Sequence, residues 1–191
     1  MTKQLIDIVT EIKVGHTFRE KLLADSLGDV AIVQLRDVNS NLLNIDSANV
    51  WIKDKGFKES NYLQKGDVIF AAKGSNNIAS VFNADIKALA SSVFFIIRLN
   101  SQLALPHYVA WYINSKLGQS YINSVKDSST TINIKKKDLE KLPISLPKLE
   151  KQSQIAALAE LSLKEMKIMD EIKTKRRLLN EQIIINSIIK Q

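Results

Sequence analysis

The spacing of apolar residues changes near position 148. Before it, short runs of β-branched and aromatic residues are separated by polar turns; after it, residues 149–191 contain no Pro or Gly and return an apolar side chain every three to four positions. Residues 4–14 mix apolar alternation with charge and read as a strand in preference to a short helix, followed by a polar turn over 15–19. Within residues 29–38, Val30-Ala31-Ile32-Val33-Gln34-Leu35 has the β-branched content of a strand, and residues 40–46 read as a loop. Residues 68–72 and 78–82 flank Lys73-Gly74-Ser75-Asn76-Asn77, the pattern of a hairpin. Residues 91–99 give the clearest buried strand, since Val93-Phe94-Phe95-Ile96-Ile97 is almost unbroken. Pro106 suits the first turn of a helix that places Tyr108, Val109, Tyr112 and Ile113 at helical spacing, with an interruption expected at Leu117-Gly118 and a continuation over 119–126. A polar loop spans 127–131, and Leu139, Leu142, Ile144 and Leu146, punctuated by Pro143 and Pro147, predict a closing extended segment at a sheet edge.

The tail carries Ile155, Leu158, Leu161 or Ser162, Met166, Met169, Ile172, Leu179 and Ile183 near a 3.5-residue interval, an imperfect heptad seam. A helix over these residues is about 60 Å long at 1.5 Å per residue, too extended to lie on one small domain. It therefore wants a partner helix, either a second copy or a similar helix of another subunit. Lys175-Arg176-Arg177 interrupts the seam and reads as a solvated face, a polar register element or a protein contact. The resulting fold class is α+β: a globular mixed domain over 1–148 and one long coiled-coil-forming helix over 149–191.

Composition narrows the function. The chain has 191 residues, a formal charge of +7 and a sequence pI near 9.5, which favours a polyanionic partner. Residues 149–191 hold 8 Lys/Arg against 6 Asp/Glu, leaving 19 against 14 in residues 1–148, so most of the excess sits on the globular part. Cysteine is absent, which removes disulfides, a thiol nucleophile and thiolate metal sites. The first residues do not open a secretory core and no run approaches the roughly 18 apolar residues that span a bilayer, so a cytoplasmic protein with no membrane partner is expected. There is no Gly-x-x-x-x-Gly-Lys-Ser/Thr loop and no Gly-x-Ser-x-Gly elbow, and the two histidines are isolated, so neither an NTPase, a serine hydrolase nor a metal site is expected.

DNA contact needs cations for phosphates and forked or amide side chains for base edges. Four groups offer them. Lys73, Ser75, Asn76 and Asn77 occupy the hairpin tip; Thr17 and Arg19 follow the turn at 15, with Gln34 and Arg36 placed on one face if their strand continues. Ser129, Thr130, Asn133 and Lys135 combine hydroxyls, an amide and the start of a lysine run. Lys53 and Lys55, with Lys58, surround Trp51 and Phe57, aromatics whose commoner fate is the core. His107, Trp111 and Tyr112 are assigned to structure.

Pro147-x-Leu149-x-x-Gln152-x-x-Ile155-Ala156, ahead of the long helix, resembles the start of the helical spacer in DNA-specificity subunits of type I restriction-modification systems. Gly66-Asp67-Val68-Ile69-Phe70, Lys73-Gly74, Ser92-Val93-Phe94-Phe95-Ile96-Ile97-Arg98, residues 106–115, Ser129-Thr130-Thr131-Ile132 and residues 139–147 recur in that order in the family's target-recognition domains. The chain differs in having one such domain and one helix, like a half-length member. The resemblance implies a non-catalytic subunit that recognises double-stranded DNA, with no cofactor of its own. S-adenosylmethionine and the adenine chemistry are then expected on a partner modification (methyltransferase) subunit; a cofactor loop and an Asn/Asp-Pro-Pro-aromatic tetrapeptide are missing here. A homodimer formed through antiparallel helices, with Ile155, Leu158, Met166, Met169, Ile172, Leu179 and Ile183 in its seam, is then expected to read a bipartite inverted repeat; pairing with another half-subunit and attachment of a restriction subunit stay open. The rival reading is a stand-alone protein-binding adaptor that oligomerises through its helix.

Overall fold

The computed structural model describes residues 1–19, 22–39, 42–43, 50–126 and 133–189. Its strands are, in chain order, β1 (Thr2–Gln4), β2 (Val9–Val14), β3 (Val30–Val33), β4 (Val38–Asn39), β5 (Leu42–Leu43), β6 (Trp51–Ile52), β7 (Val68–Ala71), β8 (Ala79–Val81), β9 (Ala88–Ala90), β10 (Phe94–Leu99) and β11 (Pro143–Ser145). The helices are α1 (Pro106–Asn114), α2 (Lys116–Ser124), α3 (Lys136–Glu140) and α4 (Leu149–Ile189).

The near-continuous apolar run of β10 is explained by its place between β2 and β7 in an antiparallel sheet of order β2-β10-β7-β8, with Phe95 opposite Phe70 and Ile97 opposite Ile12. A second sheet, β6-β3-β9, pairs β3 antiparallel with β6 and parallel with β9. One face of β3, through Ala31 and Val33, packs with Ile69, Phe94 and Ile96 of the first sheet; the other, through Val30 and Ile32, meets Val50, Ile52 and Tyr62. Burial on both faces is why this strand lacks alternation. Each fully buried Ile or Phe here contributes about 1.5–3 kcal/mol of transfer free energy.

One side chain closes the β8 edge that the backbone leaves open, and another ties β10 to the segments beside it. Asn114, at the end of α1, accepts from the Ala79 amide at 2.8 Å and donates to the Ala79 carbonyl at 2.7 Å, standing in for a neighbouring strand along β8. Arg98 on β10 donates Nε and Nη2 to the two carboxylate oxygens of buried Asp67 at 3.0 and 3.3 Å, Nη1 to Glu11 at 3.1 Å and Nη2 to the Tyr62 carbonyl at 3.1 Å. A forked guanidinium satisfies several buried acceptors at once, which a lysine does not. Beside it, burial and then the Arg98 charge hold the Lys13 ammonium below its ordinary pKa.

Several boundaries differ from the expectations, each for a local reason. The reading of 4–14 as one strand is broken by a 3-10 turn at Leu5–Ile8, where Leu5 and Ile8 turn into the core and the Asp7 carboxylate accepts from the Gln4 amide at 2.9 Å. The strand expected over 30–35 stops at Val33, because Asp37 accepts from the Gln34 amide at 2.8 Å and closes a 3-10 turn over Leu35–Asp37. The helix break falls at Ser115, which N-caps α2 by accepting from Gly118 N at 3.4 Å. Gly118 is instead a packing glycine: a Cβ would lie 2.4 Å from the Tyr112 carbonyl oxygen. Leu139 belongs to α3, and the extended segment is shorter, β11 pairing with β1.

The chain divides into compact units over 1–153 and 154–191. The first turn of α4 thus belongs to the domain, five residues beyond the boundary read from the sequence. Fully buried Gln152 fastens it: Oε1 accepts from Leu105 N at 2.9 Å, while Nε2 donates to the carbonyls of Leu103 at 3.0 Å and Pro147 at 2.9 Å. The second unit is helix through Ile189. In it Leu158, Met166, Met169, Ile172, Leu179 and Ile183 are exposed and Ile155 is half-buried. No helix of the described residues is long and apolar enough to cross a membrane.

Candidate nucleic-acid interface

Backbone hydrogen bonds gather several chain ends at one end of the two sheets. The His16 amide, just past β2, donates to Ala90 O at 2.7 Å, and Ser91 N, just past β9, donates to Val33 O at the end of β3 at 3.0 Å. Gly15 permits this approach, since a Cβ there would sit 2.3 Å from the Ser91 carbonyl oxygen. The amides of Ala72 and Lys73, just past β7, both donate to Val93 O at 2.9 and 3.3 Å. Residues leaving β2, β3 and β7 are therefore neighbours, although they lie far apart in sequence.

The hairpin tip after β7 draws in two further groups. Lys73 forms an antiparallel bridge with Asn133, and Ile134 N donates to Ala72 O at 2.9 Å, which brings Asn133 and Lys135 alongside. Gly74 sits at φ +102°, and a Cβ on it would come within 3.1 Å of Leu35 Cδ2, so the turn bearing Gln34 and Arg36 abuts the tip. Lys73, Ser75, Asn76, Asn133, Lys135 and Arg36 are exposed, and Gln34 is half-buried. Gln34 and Arg36 do not share a strand face, because the 3-10 turn redirects the chain between them.

Asn77 is a correction. Its side chain is buried and its Nδ2 donates to Ala71 O at 2.9 Å, while the Asn77 main-chain carbonyl accepts from Gln119 Nε2 at 2.9 Å. It braces the hairpin from inside and presents no amide to solvent. Ser129 and Thr130 lie outside the described residues.

Four other sequence candidates line one cleft of about 930 Å³. Its apolar wall is Phe18, Leu22, Ile52 and Phe57, and Thr17, Arg19, Lys53 and Lys55 supply polar and cationic groups. His16 meets the rings of Phe18 and Phe57 edge-on at centroid distances of 4.7 and 5.1 Å, so it serves as packing for the wall. Phe18 lies within the His16-Thr17-Phe18-Arg19 stretch that the sequence marks, whereas nothing in the sequence signals the part played by the apolar Leu22.

Asp54 shapes the loop that presents Lys53 and Lys55. Its amide donates to Asp29 Oδ1 at 2.7 Å, its Oδ1 accepts from Gly56 N at 2.9 Å across a turn with Gly56 at φ +75°, and its Oδ2 pairs with Lys87 Nζ at 3.0 Å. The Tyr62 hydroxyl, directed at Asp54 though short of good hydrogen-bond geometry, leads the causes that pull the Asp54 carboxyl down to about 2, followed by the Lys87 ammonium and the Gly56 amide. Burial first, then Asp54, pushes the Tyr62 hydroxyl up to about 12. Lys87 thus pairs with the carboxylate that lies between the two lysines, and Lys53 and Lys55 are exposed on either side of it.

Exposed cations on adjoining loops are the kind of group that grips phosphates without regard to sequence, whereas the Asn76 and Asn133 amides pair a donor with an acceptor and Arg36 offers a fork of donors, the chemistry that base-edge readout needs. Residues 1–175 match the family model described as the type I restriction modification DNA specificity domain. The chain belongs to this family. As a specificity-domain protein, it is similar in fold to the S subunit of a type I restriction-modification system from M. genitalium (TM-score 0.59, 14% identity, 87% of this chain and 40% of that one). It is also similar to a chain from a structure on complex assembly and conformational transition of the type I R-M system (TM-score 0.69, 16% identity, 92% and 41%). The HsdS subunit of Thermoanaerobacter tengcongensis aligns with TM-score 0.63 and 16% identity, over 90% of this chain and 39% of that one. At these identities the likeness is one of fold, and the chain spans about two-fifths of the length of these structures. No curated protein matches the sequence. The α+β domain followed by a long helix, expected from the apolar spacing, is the architecture of this specificity domain.

Proposed function

We propose that this protein is a non-catalytic DNA-recognition subunit of a type I restriction-modification methyltransferase. The observation that carries the reading is the convergence of the 17–19, 34–36, 73–76 and 133–135 segments at one end of the sheets, together with the cationic cleft around Lys53 and Lys55. Loops on a rigid scaffold position such contacts, while the specificity-domain family supplies the class of ligand. In this reading the long helix pairs with that of a second copy, two domains read the halves of an inverted repeat, and the helices hold the halves apart. Modification subunits bearing S-adenosylmethionine dock on the assembly in the cytoplasm, and a restriction subunit joins them where the system cleaves DNA.

Titration of labelled duplex DNA at several salt concentrations tests the DNA contact. Contact with several phosphates predicts a linear fall of log K with log salt, at about 0.9 per phosphate neutralised. Binding that ignores salt, or no binding to a duplex pool of random sequence in the presence of modification subunits, contradicts it and returns the chain to the adaptor reading.

A further inference from the structure

The exposed helix of the second unit has only two charged residues on its heptad seam. Taking Ile155 as an a position, the a series continues through Ser162, Met169, Arg176 and Ile183, and the d series runs Leu158, Glu165, Ile172, Leu179 and Asn186. Met166, included in the apolar interval above, falls one place beyond the seam, where Glu165 stands. Glu165 and Arg176 are both exposed on the free helix. A charge in a seam is costly unless an opposite charge faces it.

We infer that the antiparallel pair of α4 helices expected for two copies has its two-fold axis between Asp170 and Glu171, and that Glu165 of each copy, facing Arg176 of the other, fixes this register. The inference rests on the self-pairing proposed above. In an antiparallel pair each a layer meets a d layer, and this axis matches the whole seam. Met169 meets Ile172, and Leu158 meets Ile183; Ser162 lies opposite Leu179, and Ile155 opposite Asn186. Symmetry forms the Glu165 to Arg176 contact twice.

The alternatives all strand charge. Sliding one helix by a heptad in one direction puts Arg176 against Ile172 and Glu165 against Ile183; in the other it puts Arg176 against Leu158 and Glu165 against Met169. A parallel pair in register sets Arg176 against Arg176 and Glu165 against Glu165. Buried or flanked polar seam residues are the best-attested device by which helices choose register and orientation. Here the device fixes how far apart two copies of the recognition domain are carried.

The test uses the full chain and measures its monomer–dimer equilibrium by sedimentation. Arg176→Glu replaces two attractive contacts with two repulsive ones and should weaken the dimer about 30-fold. Glu165→Arg should do the same, and the double swap Glu165→Arg/Arg176→Glu should return the dimer to within about threefold of the original. Because the chain has no cysteine, oxidising a mixture of Met169→Cys and Ile172→Cys chains should give covalent heterodimers, while Met169→Cys alone should give few. A dimer that cross-links Met169→Cys to itself, or a double swap that fails to restore association, overturns the register and leaves self-pairing intact. A wild-type chain that stays monomeric overturns both.

Discussion

Replacing Gln152 with alanine is the sharpest test of how the domain holds the start of its helix. The side chain is fully buried and makes three hydrogen bonds to backbone groups of Leu103, Leu105 and Pro147, none of which another described side chain supplies by these contacts. At about 1 kcal/mol net for each bond, with a further contribution from the space left behind offset by water reaching the half-buried carbonyls, the loss is about 3 kcal/mol. That is a large share of the stability of a domain of this size. Urea unfolding followed by tryptophan fluorescence reads it directly, since Trp111 lies on the helix that Leu105 begins. For an m-value of about 2 kcal/mol/M the midpoint should fall by about 1.5 M with the slope unchanged. Ser153→Ala, exposed one residue later, should stay within about 0.5 kcal/mol of wild type. A midpoint for Gln152→Ala within about 0.3 M of wild type would refute the view that this amide fastens the turn.

Three further outcomes follow from the same geometry. Asn114→Ala exposes both polar groups of Ala79 on edge strand β8 and should cost about 2 kcal/mol by the same unfolding assay, with Asn114→Asp recovering little because it keeps only the acceptor. Asp54 has a folded pKa depressed to about 2 from 3.8, so its stabilising contribution is present above pH about 4 and is lost as pH falls through 2; Asp54→Asn should flatten the acid limb of a stability profile across that window, and an unchanged limb argues against stabilisation of the carboxylate by Tyr62, Lys87 and the Gly56 amide. Lys53→Ala/Lys55→Ala should weaken DNA binding evenly across sequences and reduce the salt slope by about 2, whereas Asn76→Ala should alter sequence preference and leave the slope alone.

Elements governed by local chemistry were legible in the sequence. The Lys73 to Asn77 hairpin, the Pro106 helix start and the buried run of β10 all appear where turn residues and unbroken apolarity place them. What escaped depends on contacts distant in sequence. Asn77 looks like any amide on a turn until Ala71 and Gln119 are seen to use it from inside. Gln34 and Arg36 fit a strand alternation that ends because Asp37 reaches back to the Gln34 amide, a competition between side-chain and ladder hydrogen bonds that periodicity does not show. Gln152 was visible as part of a family phrase, but its role required the α1 start, 47 residues away, to be beside it. Lys53 and Lys55 were visible as cations, whereas their cleft is assembled with Phe18 and Leu22 from another stretch of chain.

Mapping methylated adenines across the genome, in cells that carry this chain and its modification subunits and in cells from which the chain alone is deleted, tests the central claim most directly. The account predicts methylation at one bipartite inverted repeat of constant gap, all of it lost on deletion and restored by the chain supplied in trans. Methylation that persists unchanged without the chain would contradict its assignment as the DNA-recognition subunit. An asymmetric target would instead refute pairing with a second identical copy.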